Sequence, residues 1–171
     1  KRGGRGKQAT ATKEDDWVDQ LFIANTHDYI LCFSNRGRLY WLKVWEVPQG
    51  SRGSRGRPIV NMFPLQEGEK INVVLPLTGD KRTFPADQFV FMGTSMGTVK
   101  KTPLNDFSNP RKVGIIAVTL DENDFLIGAA ITDGKHDVML FSDGGKAVRF
   151  NEDEVTAHGR QSRGVKGMNL E

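Results

Sequence analysis

The sequence has one cysteine, three histidines and no long apolar run, and each shortage excludes a class of protein. Cys32 alone cannot form an internal disulfide or a thiolate metal site, so we expect a reducing, cytoplasmic setting. No window reaches the roughly 18 apolar residues of a membrane-spanning helix, which predicts no membrane partner. Residues 1–7 are basic and glycine-rich without a following apolar stretch, so no export signal is predicted.

Catalytic and metal-binding patterns are equally scarce. His27, His136 and His158 lie far apart in the sequence and share no ligand spacing. The neighbouring His27 and Asp28 have no nucleophile placed by a motif, and residues 143–146 lack the first glycine of a phosphate-binding loop and are interpreted as a turn. We therefore predict no catalytic residue, no metal and no cofactor.

Positive charge is unevenly distributed, although the net charge of the 171 residues is only +3. Residues 1–13 contain five Lys or Arg and no acid, and residues 36–57 contain six against Glu46 alone. Acidic residues collect in 14–19, 121–124 and 152–154. We expect a molecule with electrically distinct faces.

Short β-branched, aromatic and leucine-rich runs alternate with turn residues, which is typical of an all-β protein. None of these runs is long enough for an ordinary helix, and no helix is predicted. The predicted strands are residues 21–24, 29–33, 39–44, 71–77, 89–92, 115–120, 125–131, 138–141 and 147–150.

A strand–turn–strand pattern occurs three times, and its turns contain Gly37, Gly97 and Gly145. Tight hairpins need a positive φ that glycine adopts without strain, so these are predicted hairpin glycines. Gly56 and Gly164, each preceded by Arg, both lie nineteen positions after a hairpin glycine. Stacked repeats of about 50 residues with four strands each predict blades of a propeller-like assembly, here an incomplete set of about two to three.

The predicted organisation is a flexible basic arm over residues 1–13, followed by the β fragment over residues 14–171. The approximate repeats are residues 17–79, 80–133 and 134–171, the last of them incomplete.

Basic side chains recur in the hairpin and following loop of each repeat, where we expect them to face outward. Repeated charge of this kind suits the phosphates of duplex DNA, whereas the alternative is an edge strand that Lys and Arg protect from aggregation. Cys32, Trp41 and Trp45 are interpreted as packing residues, although the two tryptophans could stack on bases. The candidate phosphate contacts are Arg36, Arg38, Lys43, Arg52, Arg55, Arg57, Lys100, Lys101, Arg111, Lys112, Lys146, Arg149, Arg160, Arg163 and Lys166.

With these features located, the chain resembles the C-terminal domain of the bacterial DNA gyrase A protein over nearly its whole length. The most specific stretches are residues 23–28, 30–34, 52–61, 97–102 and 138–142. The arm resembles the gyrase box, Q-R-R-G-G-[KR]-G, without its leading Gln-Arg. Its residues are Lys1, Arg2, Gly3, Gly4, Arg5, Gly6 and Lys7.

The resemblance implies a six-bladed β-pinwheel in which neighbouring blades exchange strands. It also implies non-catalytic wrapping of double-stranded DNA around a basic outer rim, with the arm acting on the wrap. The rest of gyrase A, together with gyrase B, would then carry out cleavage, ATP hydrolysis and negative supercoiling. Three alternatives stay open: the related C-terminal domain of topoisomerase IV, which lacks the box; a propeller that binds an acidic protein; and an RNA-binding module that uses the glycine-arginine arm.

Overall fold

The computed structural model describes residues 4, 6, 18–78 and 83–170, and this part of the chain is all-β. The strands are β1 (Tyr29–Ser34), β2 (Arg38–Lys43), β3 (Ile71–Leu77), β4 (Phe89–Thr94), β5 (Thr98–Pro103), β6 (Ile115–Ile116), β7 (Leu126–Thr132), β8 (Asp137–Phe141), β9 (Ala147–Asn151) and β10 (Val165–Lys166). Short 3-10 turns lie at Val44–Glu46, Ile59–Asn61, Leu104–Phe107 and Glu152–Glu154. None of the helices in the described residues is long and apolar enough to cross a membrane.

Two four-stranded antiparallel sheets repeat the same arrangement. The first has the order β3-β1-β2-β6 and the second has the order β7-β4-β5-β10. In both, a hairpin forms the centre and one flanking strand comes later in the same repeat. β8 and β9 form the third hairpin, a two-stranded sheet within the described residues. The prediction of repeated four-stranded blades is confirmed by the two complete sheets, and the third hairpin adds part of a further blade within the described residues.

The fourth strand of each complete sheet comes from the following repeat. Ile115 and Ile116 on β6 pair with the start of β2, and β10 pairs with the start of β5 in the corresponding way. The backbone N–H groups of Ala117 and Val118 then donate to the carbonyl of Gly37, and those of Gly167 and Met168 donate to the carbonyl of Gly97. The implied exchange of strands between neighbouring blades is present.

β1 is buried along nearly its whole length, so the first sheet buries side chains on both of its faces. Leu31 and Phe33 on β1 face a core shared with Phe107 and Leu126 of the second repeat. Ile30 and Cys32, on the opposite face, pack with Tyr40 and Phe63. Sheets one and two therefore stack through an apolar interior, and Cys32 is a packing residue as expected.

The hairpin prediction is confirmed by backbone geometry. Gly37, Gly97 and Gly145 have φ values of 75°, 84° and 82°. The strand prediction is wrong at residues 21–24, which form no strand, and too long at 115–120, where the ladder covers two residues. β10 was not predicted, because a two-residue ladder has no periodic pattern to detect.

Candidate nucleic-acid interface

A loop without regular structure follows the first hairpin and presents three arginines to solvent. Arg52, Arg55 and Arg57 are all exposed. Gly53 and Gly56 adopt φ values of 88° and 73°, and a Cβ added to either would meet no atom within 4 Å among the described residues. The two turns therefore require glycine for its backbone conformation and not for lack of space. The space beside the neighbouring arginines is open among the described residues.

A groove of about 860 Å³ lies where this loop approaches β2 and the loop at residues 110–113. Four of the candidate cations line it: Lys43, Arg57, Arg111 and Lys112. Glu46 is the one acidic side chain among the lining residues, and its carboxylate accepts the Lys43 backbone N–H at 3.1 Å. The groove brings together basic residues from two repeats, so positive charge is concentrated between the first and second blades.

The arginines of the first hairpin are exposed or half-exposed but fixed. Arg36 Nη2 donates to the carbonyl of Glu67 at 2.9 Å, and Arg38 Nη2 donates to the carbonyl of Val113 at 2.8 Å. Each guanidinium keeps further donors for a phosphate. Because their positions are held by backbone acceptors, these side chains lose little additional freedom on binding an anion.

Lys100 and Lys101, two of the predicted phosphate contacts, are buried, with 1% and 6% of their surface exposed. Lys100 Nζ donates to the carbonyls of Ala117 and Arg160, and Lys101 Nζ donates to the carbonyl of Glu152 at 2.9 Å. The prediction that these two lysines face outward is wrong. The carbonyls of Arg160 and Glu152 belong to the third repeat, so the two lysines join the second and third blades instead.

Burial lowers the pKa of the Lys100 ammonium to about 8, with a smaller contribution from Arg160 that Asp106 opposes. The unfolded chain therefore binds more protons than the folded chain between about pH 8 and 10.4, so the Lys100 contribution to stability rises across this window. We expect Lys100→Met to cost little at pH 7 and more at pH 10, measured by urea denaturation. If the free energy of unfolding of Lys100→Met differs from that of the unsubstituted protein by the same amount at pH 7 and pH 10, this expectation is contradicted. Lys112→Met removes a positive charge at an exposed site and is the control for the loss of charge alone.

The predicted cations of the third repeat lie on or near the surface and do not gather in one groove. Arg163 forms an ion pair with Asp121, and Arg149 Nε lies 3.7 Å from Asp137. Arg160 is half-buried with Nη1 3.5 Å from the carbonyl of Ile116. Lys146 and Lys166 are exposed. Exposed ion pairs contribute little to stability, so Arg149 and Arg163 can leave their carboxylate partners to bind a phosphate at little cost.

The two tryptophans differ in environment. Trp41 is half-buried and its Nε1 donates to the carbonyl of Phe107 at 2.9 Å, which supports the packing interpretation. Trp45 is 60% exposed, and Lys43 Nζ lies 6.0 Å from its ring centroid. The arm prediction lies almost entirely outside the described residues: Gly4 and Gly6 are described and exposed, whereas Lys1, Arg2, Gly3, Arg5 and Lys7 are not described.

The sequence pattern missed two features of this surface. Gly114, with φ 74°, is the equivalent of Gly164 in the second repeat. It lies seventeen positions after the hairpin glycine Gly97, so a fixed spacing of nineteen positions does not find it. The apolar wall of the groove, which includes Pro58, Met62 and Pro110, was also missed. Pro110 lies far from Pro58 and Met62 in the sequence, and the three residues carry no shared pattern.

Comparison with known proteins identifies the family. The family model described as DNA gyrase C-terminal domain, beta-propeller, matches residues 1–25, 28–77, 88–133 and 136–171. The DNA gyrase A protein of Klebsiella oxytoca is 56% identical over 170 residues, and that of Salmonella typhimurium is 55% identical over 170 residues. Each alignment covers 99% of this chain and 19% of the relative, so the chain spans about a fifth of the length of these relatives.

Solved structures agree with this result. The C-terminal domain of DNA topoisomerase IV has a TM-score of 0.76 at 31% identity, over 85% of this chain and 44% of the solved chain. A DNA gyrase A C-terminal domain has a TM-score of 0.69 at 27% identity, over 96% of this chain and 54% of the solved chain. Together with the exchanged strands and repeated hairpins, these matches show that the chain belongs to the DNA gyrase A C-terminal domain family.

Proposed function

We propose that this chain binds duplex DNA and bends it around its basic outer edge, as a non-catalytic part of a DNA gyrase. The observation that supports this most directly is the convergence of Lys43, Arg57, Arg111 and Lys112 on one groove between two blades. Their side chains come from two repeats, so a duplex that follows the edge would meet concentrated positive charge between the first and second blades. Phosphate recognition needs repeated charge without sequence readout.

The partners of such a domain follow from the family. The relatives are DNA gyrase A proteins, and this chain covers 19% of them. In the proposal, the remainder of gyrase A cleaves DNA and gyrase B hydrolyses ATP in a bacterial cytoplasm. This domain fixes the path of the DNA, so that strand passage yields negative supercoils.

Bending is energetically costly, which argues for many contacts. DNA has a persistence length of about 150 bp, and curving a 20 to 30 bp site by 40 to 90° costs on the order of 1 to 6 kcal/mol. Several exposed cations spread along the surface can offset this cost, whereas a single site cannot. The remaining candidates for phosphate contact are Arg36, Arg38, Lys43, Arg52, Arg55, Arg57, Arg111, Lys112, Lys146, Arg149, Arg160, Arg163 and Lys166.

The test is energy transfer between dyes on the two ends of a duplex of about 40 bp, far shorter than the persistence length. We expect the transfer efficiency to rise as protein is added and to fall steeply with salt, because counterion release drives phosphate binding. A duplex that binds without a change in transfer would show a straight phosphate-binding surface. A duplex that does not bind would favour an acidic protein as the partner.

A paired substitution tests the location of the binding surface. Arg57→Glu with Arg111→Glu is expected to weaken duplex binding by about tenfold or more and to reduce the salt slope by roughly two, since two phosphate contacts are lost. The matched control is Lys70→Glu with Lys135→Glu, which changes net charge equally at exposed positions outside the groove. Equal losses in the two variants would show that net charge, and not the groove, determines affinity.

A further inference from the structure

The groove between the first two blades has a chemical character that phosphate binding alone does not require. Besides its four cations, it is lined by Trp41, Met62, Phe63, Pro58 and Pro110. A surface that only neutralises phosphates needs charge and solvent, not an apolar wall. Its volume of about 860 Å³ lies within the range of about 300 to 1,000 Å³ that is typical of small-molecule sites.

Two aromatic side chains of the apolar wall are held in place by contacts with other residues of the chain. Trp41 Nε1 donates to the Phe107 carbonyl, which fixes the plane of the indole. Phe63 packs with Tyr40, their ring centroids 5.3 Å apart, and the Tyr40 hydroxyl donates to Glu69 Oε1 at 2.9 Å. The wall is thus formed before any ligand arrives, which lowers the entropy cost of binding.

The cations of the groove are available to an anion. The side chains of Arg57, Arg111 and Lys112 are exposed and make no hydrogen bond or ion pair with any described residue. Lys43 Nζ lies 5.5 Å from the ring centroid of Tyr29, so its ammonium is oriented by an aromatic face. A ligand that carries both a flat ring and a negative group would satisfy the wall and the cations together.

We propose that this groove binds a nucleoside monophosphate unit, with the base against the Trp41 wall and the phosphate at Arg57, Arg111 and Lys112. Stacking on aromatic and apolar side chains is tolerant of base identity, so no strong preference among bases is expected. The unit has two possible sources: a free nucleotide, or an unpaired nucleotide of a bound DNA. The second source rests on the proposed function, whereas the first does not.

The test uses deoxyadenosine monophosphate and inorganic phosphate as probes, with binding measured by calorimetry on the intact chain. We expect saturable binding of the nucleotide and at least about tenfold weaker binding of phosphate, because stacking on a base is worth a comparable factor. Equal binding of the two probes would overturn the proposal, since the wall would then contribute nothing.

Asn61 lines the groove on an exposed 3-10 turn and provides a blocking variant that leaves every cation in place. Asn61→Phe is expected to reduce nucleotide affinity by about tenfold by occupying the space of the base, whereas Asn61→Ala is expected to leave it unchanged. Unchanged nucleotide affinity in Asn61→Phe would overturn the proposal. Native-like circular dichroism of both variants excludes a folding defect.

Duplex binding by Asn61→Phe separates this proposal from the proposed function. If fully paired duplex binds and bends as before while the nucleotide is lost, both proposals are supported and remain independent. A duplex with one unpaired base then identifies the source of the nucleotide. If this duplex binds the unsubstituted protein more tightly than it binds Asn61→Phe, the nucleotide in the groove comes from bound DNA. Equal affinity of the two proteins for that duplex assigns it to the free nucleotide. Nucleotide binding without any duplex binding would leave the groove in place and contradict only the wrapping proposal.

Discussion

Replacing Phe107 with alanine is expected to reduce the free energy of unfolding by about 3–5 kcal/mol, the usual cost of removing a large buried aromatic side chain. Phe107 is fully buried at the end of a 3-10 turn, and its ring meets that of Phe33 edge to face with centroids 6.1 Å apart. The substitution opens a cavity between the first two sheets. It keeps the Phe107 carbonyl, which accepts the Trp41 indole N–H, so the loss measures packing.

Urea denaturation followed by circular dichroism measures this loss. Phe141→Ala is the matched control, because Phe141 is 73% exposed and its removal is expected to cost less than about 0.5 kcal/mol. A Phe107→Ala protein as stable as the control would mean that the two sheets do not depend on their shared core. A smaller m value, the slope of the free energy of unfolding against urea concentration, would indicate that the sheets unfold separately.

Gly97→Ala is expected to cost about 2–4 kcal/mol, of which roughly 1–2 comes from the left-handed backbone. Gly97 has φ +84°, and a Cβ there would lie 2.6 Å from the carbonyl oxygen of Met168. That carbonyl belongs to the segment that crosses from the third repeat, so the added methyl group must displace the joint between blades two and three. The measurement is again the free energy of unfolding.

Gly145→Ala separates the two causes. Gly145 occupies the same hairpin position with φ +82°, but a Cβ added there would have no atom of a described residue within 4 Å. We expect this variant to lose only the backbone contribution, about 1–2 kcal/mol. Equal losses in Gly97→Ala and Gly145→Ala would show that the crossing segment does not constrain the second hairpin.

The hairpins could be predicted from sequence because a position with a positive φ is usually a glycine, which the sequence shows directly. Glycine is strongly favoured at such a position, so Gly37, Gly97 and Gly145 appear at equivalent places in three repeats. Residues 21–24 have an equally β-like composition but form no strand. A strand needs a partner edge, and the composition of a short run does not report whether one is present.

The burial of the two lysines of the second repeat could not be predicted from sequence. A positive charge does not show that a side chain is exposed when that side chain is long enough to reach a backbone carbonyl. Lys100 and Lys101 follow each other on β5 and point to opposite faces, yet both ammonium groups find backbone carbonyls. Arg111 and Lys112, in a loop, are exposed as predicted. The groove itself depends on residues more than fifty positions apart and therefore emerges only in the folded chain.

The exchange of strands between repeats also affects how the protein is made. Arg38 on β2 pairs with Ile116 on β6, about 80 residues later, so at typical synthesis rates of about 5–20 residues per second the first sheet waits roughly 4–16 s for its last strand. During this delay the edge of β2 is open to other nascent chains. Ribosome spacing and codon choice in the segment between these strands would therefore affect the yield of correctly assembled domain.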